Sequence, residues 1–210
     1  MAVSTRGGKS MASPAKLAHV VLRTQHLKEM REWYVTVLDG KVMHEDPASA
    51  FITYDDEHHR IALANMADLE DPDHAEPLRP IVRREKPAPV TADTDIFQAL
   101  AGPATGLFHI AFTYDTIMEL LDTYERLAAA EIWPVLAMNH GVTTSMYYRD
   151  PEDNLVELQI DNFATAEEAE DFMQGDVWLR RPGGAPIDLD ALVERFRGGE
   201  SFDNLVKPTW

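Results

Sequence analysis

The sequence predicts an α+β fold of two tandem βαβββ modules followed by a helical C-terminal tail. Three observations carry this: an internal repeat, a histidine-bearing apolar strand at the head of each copy, and a helical pattern with three strand candidates behind each such strand. Leu17-Ala18-His19-Val20-Val21-Leu22 answers Leu107-Phe108-His109-Ile110-Ala111-Phe112 at an offset of 90 (107 − 17), and the match continues through Glu29 with Glu119 and Tyr34 with Tyr124.

Each element follows from its own pattern. In the first copy Leu27, Met30, Tyr34, Val37 and Leu38 recur at helical spacing; in the second, Ile117, Leu120, Leu121, Tyr124 and Leu127 do so, with Thr116 and Glu119 forming a capping-box signature at the start. The strand candidates are Lys41–His44, Ala50–Tyr54 and His59–Asn65, then Trp133–Ala137, Thr143–Tyr148 and Leu155–Ile160. This divides the chain into an arm (1–15), a first module (16–66), a linker or lid (67–105), a second module (106–162) and a tail (163–210), with 16–210 acting as one domain. The linker is rich in Pro, Asp, Glu and Ala and looks helical only over Ile96–Leu100; its His74 reads as solvent-exposed. The tail holds two helical patterns, Ala166–Met173 and Leu189–Phe196, and is expected to pack across the domain or onto a neighbouring subunit.

Composition narrows the chemistry. The 36 acidic against 19 basic residues give a net charge of −17, which repels phosphate backbones and anionic headgroups, so neither nucleic acid nor a membrane is an expected partner. No apolar run approaches a membrane span and no secretory h-region is recognisable, so a cytoplasmic protein is expected. With no cysteine, a bound metal has only His and carboxylate ligands, with a Tyr near it, which favours Fe(II), Mn(II) or Zn(II).

A lone histidine is ordinarily a satisfied core or surface residue. His19 and His109, however, occupy the same place in both repeats, each in an apolar strand where an unpaired imidazole is costly. Two such histidines brought together by a pseudo-twofold need a common partner. Glu157 lies in Leu155-Val156-Glu157-Leu158-Gln159-Ile160, where alternation sets its carboxylate on the face opposite Val156 and Leu158. A buried carboxylate persists when paired or bound to a cation. Two neutral imidazoles and one carboxylate form the facial triad of non-haem Fe(II).

These residues, together with His58-His59-Arg60-Ile61-Ala62-Leu63 and the run Tyr147-Tyr148-Arg149-Asp150-Pro151 through Asn154-Leu155-Val156-Glu157, resemble the vicinal oxygen chelate superfamily (the glyoxalase/bleomycin resistance/dioxygenase fold). Within it the chain resembles the small, one-domain type I extradiol ring-cleavage dioxygenases, over about residues 16 to 165 with the linker excepted. The resemblance implies a cupped mixed sheet around a metal held by His19, His109 and Glu157. It implies Fe(II), with Mn(II) accepted by the same triad, and a small aromatic diol and O₂ as substrates of a homodimer or higher homo-oligomer.

Aligning the last strands of the repeats sets Ala62 where Glu157 stands, so the fourth ligand used by glyoxalase-like members is missing and one side of the metal stays open. His59, three residues before Ala62, falls where the extradiol enzymes place an acid/base. Tyr147, ten residues before Glu157, has the spacing of the family's Tyr that meets a catecholate oxygen. Tyr148 points the other way and packs. His140 resembles the His that many catechol dioxygenases place before that Tyr, at an interval two residues shorter. Asp153 replaces the usual Gly of the Asp-Pro-X-Gly turn, a position Asp tolerates because it visits left-handed backbone. Two other readings stay open: a metal-dependent isomerase, epimerase or lyase of the same fold, and a metal-free protein binding an aromatic or antibiotic ligand.

Overall fold

The computed structural model describes residues 16–67, 106–181 and 183–210; the arm, most of the linker with Ile96–Leu100 and His74, and Pro182 lie outside the described residues. Each copy folds as β-α-β-β-β, as its pattern predicts. The first comprises β1 (Val20–Thr24), α1 (Leu27–Leu38), β2 (Lys41–Asp46), β3 (Ser49–Thr53) and β4 (Ile61–Asn65). The second comprises β5 (His109–Thr113), α2 (Ile117–Ala129), β6 (Leu136–Asn139), β7 (Thr143–Arg149) and β8 (Leu155–Asp161). The tail adds α3 (Ala166–Gln174), α4 (Asp176–Arg180), β9 (Ala185–Pro186), α5 (Leu189–Arg197) and α6 (Phe202–Leu205).

Rather than one continuous cup, the chain forms two mixed sheets, ordered β1-β4-β3-β2 and β5-β8-β7-β6-β9. β1 runs parallel to β4 and β5 parallel to β8, with antiparallel pairing elsewhere. The apolar stripes predicted for the helices are buried: Met30, Trp33, Tyr34 and Val37 on α1, and Leu120, Leu121, Tyr124 and Leu127 on α2. Each such side chain contributes about 1.5–3 kcal/mol on removal from water. They join Leu22, Ile61 and Leu63 of one sheet and Tyr148, Val156 and Leu158 of the other in a single core. The two modules therefore share the helix-covered sides of their sheets. Their remaining faces, which carry the candidate ligands, lie away from that core.

Polar contacts tie the modules together at both ends. The Arg126 guanidinium donates to the carbonyls of Thr36 (2.6 Å) and Val37 (3.2 Å), satisfying acceptors that the end of α1 leaves open. Tyr34 donates to Asp150 (3.1 Å), and Glu152 accepts from the Thr24 hydroxyl and the Gln25 amide, both at 2.9 Å. Asp153 closes the β7–β8 turn at φ 67°, in the left-handed region its side chain tolerates.

Local boundaries depart from the sequence reading in two places that matter. The strand expected from Trp133 begins at Leu136, after Pro134, which has no N–H to give a ladder. β4 begins at Ile61, so His59 sits in the loop before the strand rather than on it. The tail packs on the second module: Asn139 donates to the carbonyl of Val206 (2.7 Å), Tyr124 to Asp190 (2.7 Å), and β9 extends the sheet beyond β6. Among the described residues no helix is long and apolar enough to cross a membrane.

Candidate metal centre

Strand register sets the second module's polar residues on one face. Ala111 of β5 faces Glu157 of β8, and Glu157 faces Tyr147 of β7, so alternation aims His109, Glu157 and Tyr147 to the side opposite the core residues Val156, Leu158 and Tyr148. His109 Nε2 lies 2.9 Å from Glu157 Oε2. Tyr147 donates to Glu157 Oε1 at 2.9 Å, and His140 Nε2 stands 2.8 Å from the same hydroxyl. His140 Nδ1 lies 2.9 Å from the carbonyl of Gly183, at the turn where the tail crosses the end of β6. The approach is close because Gly184, at φ 76°, has no side chain: a Cβ there would lie 2.2 Å from the carbonyl oxygen of Asn139.

Burial and hydrogen bonding set the protonation states. Burial pushes the Glu157 carboxyl up, but hydrogen bonds from His109, Ser145 and Tyr147 outweigh it and hold the group below its ordinary value. Burial and then the neighbouring Glu157 charge push the Tyr147 hydroxyl well above its ordinary range, so it keeps its proton at neutral pH. Burial holds His140 below the usual imidazole value. The sequence reading missed Ser145, which is fully buried beside Glu157. Its signal was parity, since it lies two residues before Tyr147 on the same strand and thus on the same face.

The first module presents a different set. His19 is exposed, just ahead of β1, not embedded in the strand as expected. Its ring lies tilted against that of His59 at 4.4 Å between centroids, and His59 in turn stacks on Phe51 at 4.7 Å and meets His58. Burial first, then the neighbouring His19 and His58, hold His59 below the ordinary imidazole value. Ala62 faces Val21 in the register that Glu157 holds opposite Ala111, so the first module offers no carboxylate at that place.

An imidazole nitrogen and a carboxylate oxygen 2.9 Å apart suit two donors on one divalent ion, which stand about 3 Å apart when each lies ~2.1 Å from it at right angles. The spacing of His109 and Glu157 thus fits a metal. His109 Nδ1 is buried with no hydrogen-bond partner among the described residues, so the second-partner contact that a ligand histidine ordinarily makes is not formed there. His19 does not reach them within one chain: among the described residues no three His, Asp or Glu side chains converge to hold an ion.

A fold of paired βαβββ units with this strand-borne donor set defines a class. The chain belongs to the Glyoxalase/Bleomycin resistance protein/Dioxygenase superfamily, whose family model matches residues 16–158. Two curated relatives from Rhodococcus globerulus are similar over nearly the whole chain. Biphenyl-2,3-diol 1,2-dioxygenase 2 is 39% identical over 200 residues, 95% of this chain and 91% of that protein. Biphenyl-2,3-diol 1,2-dioxygenase 3 is 40% identical over 201 residues, 95% of this chain and 92% of that one. Among solved structures, lactoylglutathione lyase from Agrobacterium tumefaciens is 19% identical with a TM-score of 0.47, covering 71% of this chain and 96% of that one.

Proposed function

We propose that this chain is an Fe(II)-dependent extradiol dioxygenase, opening the ring of a catechol-type diol with O₂, with His19, His109 and Glu157 as metal ligands. The observation that carries the reading is the connected series His109–Glu157–Tyr147–His140, built on a buried carboxylate and a buried tyrosine, in a chain 39–40% identical to two biphenyl-2,3-diol dioxygenases over almost its full length. Ala62 supports it against a Lewis-acid isomerase, because it leaves the first module without the carboxylate that would complete a closed ligand set.

The metal, when bound, supplies a centre with open positions at which diol and O₂ meet and exchange electrons. The protein's share is positioning and proton transfer. Tyr147, which stays protonated at neutral pH, can donate to a diol oxygen beside Glu157. His140, holding the far side of that hydroxyl, keeps it in the site. His59 is neutral at pH 7 because its imidazole is shifted down, so it is available to take a diol proton and return it to the ring-opened product. Both atoms of O₂ enter the product as the ring C–C bond beside a hydroxylated carbon breaks, giving a ring-opened dienoic acid isomeric with diol plus O₂, a semialdehyde from catechol and an aryl ketone from the biaryl diol. The relatives' substrate makes a biaryl diol the first compound to try.

The test is oxygen uptake by protein loaded anaerobically with Fe(II) and given catechol or biphenyl-2,3-diol. One O₂ consumed per diol with a yellow ring-opened product is the expected result. No uptake with either diol, at one iron per chain, would overturn the reading.

A further inference from the structure

We infer that Arg60 is a positioning residue for the proposed ligand His19, its side chain clamping the backbone ahead of β1 while its main chain fixes the neighbouring His59. The inference rests on the ligand assignment above and adds what holds one of those ligands in place.

The need for such a residue follows from where His19 stands. The ladder between β1 and β4 opens with the pair Val20–Ile61, so His19 and the residues before it lie ahead of it, exposed, with Leu17 at 75%. A metal ligand has to be held within about 0.5 Å of its place, and a chain segment outside the sheet is not held that closely by the sheet. Arg60 supplies the tie. Its Nη1 donates to the carbonyls of Leu17 (2.9 Å) and Ala18 (3.0 Å), the two residues before His19. Its Nε donates to Asp55 at 2.8 Å, and Nη1 stands 3.8 Å from Glu57. Glu57 also pairs with Lys16, at the start of the same segment.

The guanidinium is thus a bracket between two carboxylates of the β3–β4 loop and the backbone that bears His19, a task suited to a planar fork of donors and not to a point charge. The far end of the bracket is itself anchored. Asp55 accepts from the Glu57 amide (3.0 Å) and from the hydroxyl of Thr53 (3.2 Å), a buried residue at the end of β3. The main chain of Arg60 is pinned as well: its amide donates to the Ile52 carbonyl (2.8 Å) and its carbonyl accepts from the Val20 amide (2.9 Å). His59 is the residue before it, so one residue sets His59 through its backbone and His19 through its side chain. The two imidazoles meet at 4.4 Å between centroids.

Co(II) binding tests this without turnover, by equilibrium dialysis and by the visible absorption of the bound ion. Arg60→Met, which keeps an unbranched stem but removes every donor, should weaken Co(II) by about 10- to 100-fold, the usual effect of losing a contact that orients a ligand. Its Co(II) spectrum should move toward that of His19→Ala. The double variant His19→Ala/Arg60→Met should bind no more weakly than His19→Ala alone, because Arg60 acts through His19; additive losses would make it a support of the fold and overturn the inference. Arg60→Lys keeps the charge beside Asp55 and Glu57 but cannot span both carbonyls and Asp55, so it should restore only part of the affinity. Asp55→Asn, which loosens the bracket and leaves the guanidinium, should weaken Co(II) by a smaller factor, and it decides the matter with Arg60→Lys if Arg60→Met does not fold. Wild-type affinity in Arg60→Met, or in both Arg60→Lys and Asp55→Asn, overturns the positioning role and leaves the ligand assignment standing. Wild-type affinity in His19→Ala overturns that assignment and this inference with it.

Discussion

Val21 faces Ala62 across β1 and β4, whereas Ala111 faces Glu157 across β5 and β8. The first module surrounds its histidine with exposed residues and other imidazoles; the second surrounds its own with a buried carboxylate, a buried tyrosine and a third imidazole. The strand order of the repeat is the same in both, and the chemical difference lies in a few positions on one face: Ala62 where the second copy has Glu157, and Phe51 where it has Tyr147. Duplication of a scaffold thus need not duplicate a site. In the proposed function one copy would keep the charge that fixes the ion while the other keeps the acid/base.

That contrast can be broken most severely at Glu157. Glu157→Ala should reduce metal in anaerobically loaded protein to background and abolish oxygen uptake; iron retained at one per chain would show that the carboxylate is no ligand. The matching change in the first module separates proton transfer from metal binding. His59→Phe should leave iron content unchanged and lower kcat by about 10²- to 10⁴-fold, the usual worth of a positioned acid/base. Full activity in that variant would remove His59 from the mechanism.

Smaller effects sharpen how the modules are joined. Asp150 is 1% exposed and accepts four hydrogen bonds, from Tyr34, from the amides of Glu152 and Asn154 and from the Asn154 side chain. Asp150→Asn replaces one acceptor oxygen with a donor facing donors, and urea unfolding should show a loss of about 2–3 kcal/mol. A loss below 0.5 kcal/mol, on the same scale, would mean this junction is not what aligns the modules. Thr116→Ala should cost about 1 kcal/mol by the same measurement, because it removes the side chain that caps α2 through the Glu119 amide. The equivalent place on α1, His26, makes no side-chain cap bond, so no such capping contribution exists in the first module.

Much of this was legible from the chain alone because it rests on local periodicity. The repeat, the two helices, the capping box at Thr116 and Glu119, and the left-handed turn at Asp153 are short-range, and each appears where the pattern puts it. The alignment of Ala62 with Glu157 survives as matching strand register. What was not legible depends on long-range geometry. No periodicity says whether two half-cups close on each other or pack through their helices, and here the shared core of Trp33, Tyr34, Leu121 and Tyr124 joins the helix-covered sides. That is why His19 and His59 stand together in one place and His109, Glu157, Tyr147 and His140 in another. The short elements α4, β9 and α6 escaped notice because four- and five-residue helices and a two-residue strand span too little chain to show a period.

The crossing of the tail over β6 reaches further than packing. A backbone carbonyl can only accept, so for Gly183 to bond His140 Nδ1 that nitrogen must carry the hydrogen. In the neutral ring Nε2 is then a lone pair aimed at Tyr147, whose one hydrogen has two acceptors within reach, His140 and Glu157. The tail thereby chooses the tautomer of a ring in the site, and it can come close enough to do so because residue 184 lacks a methyl group.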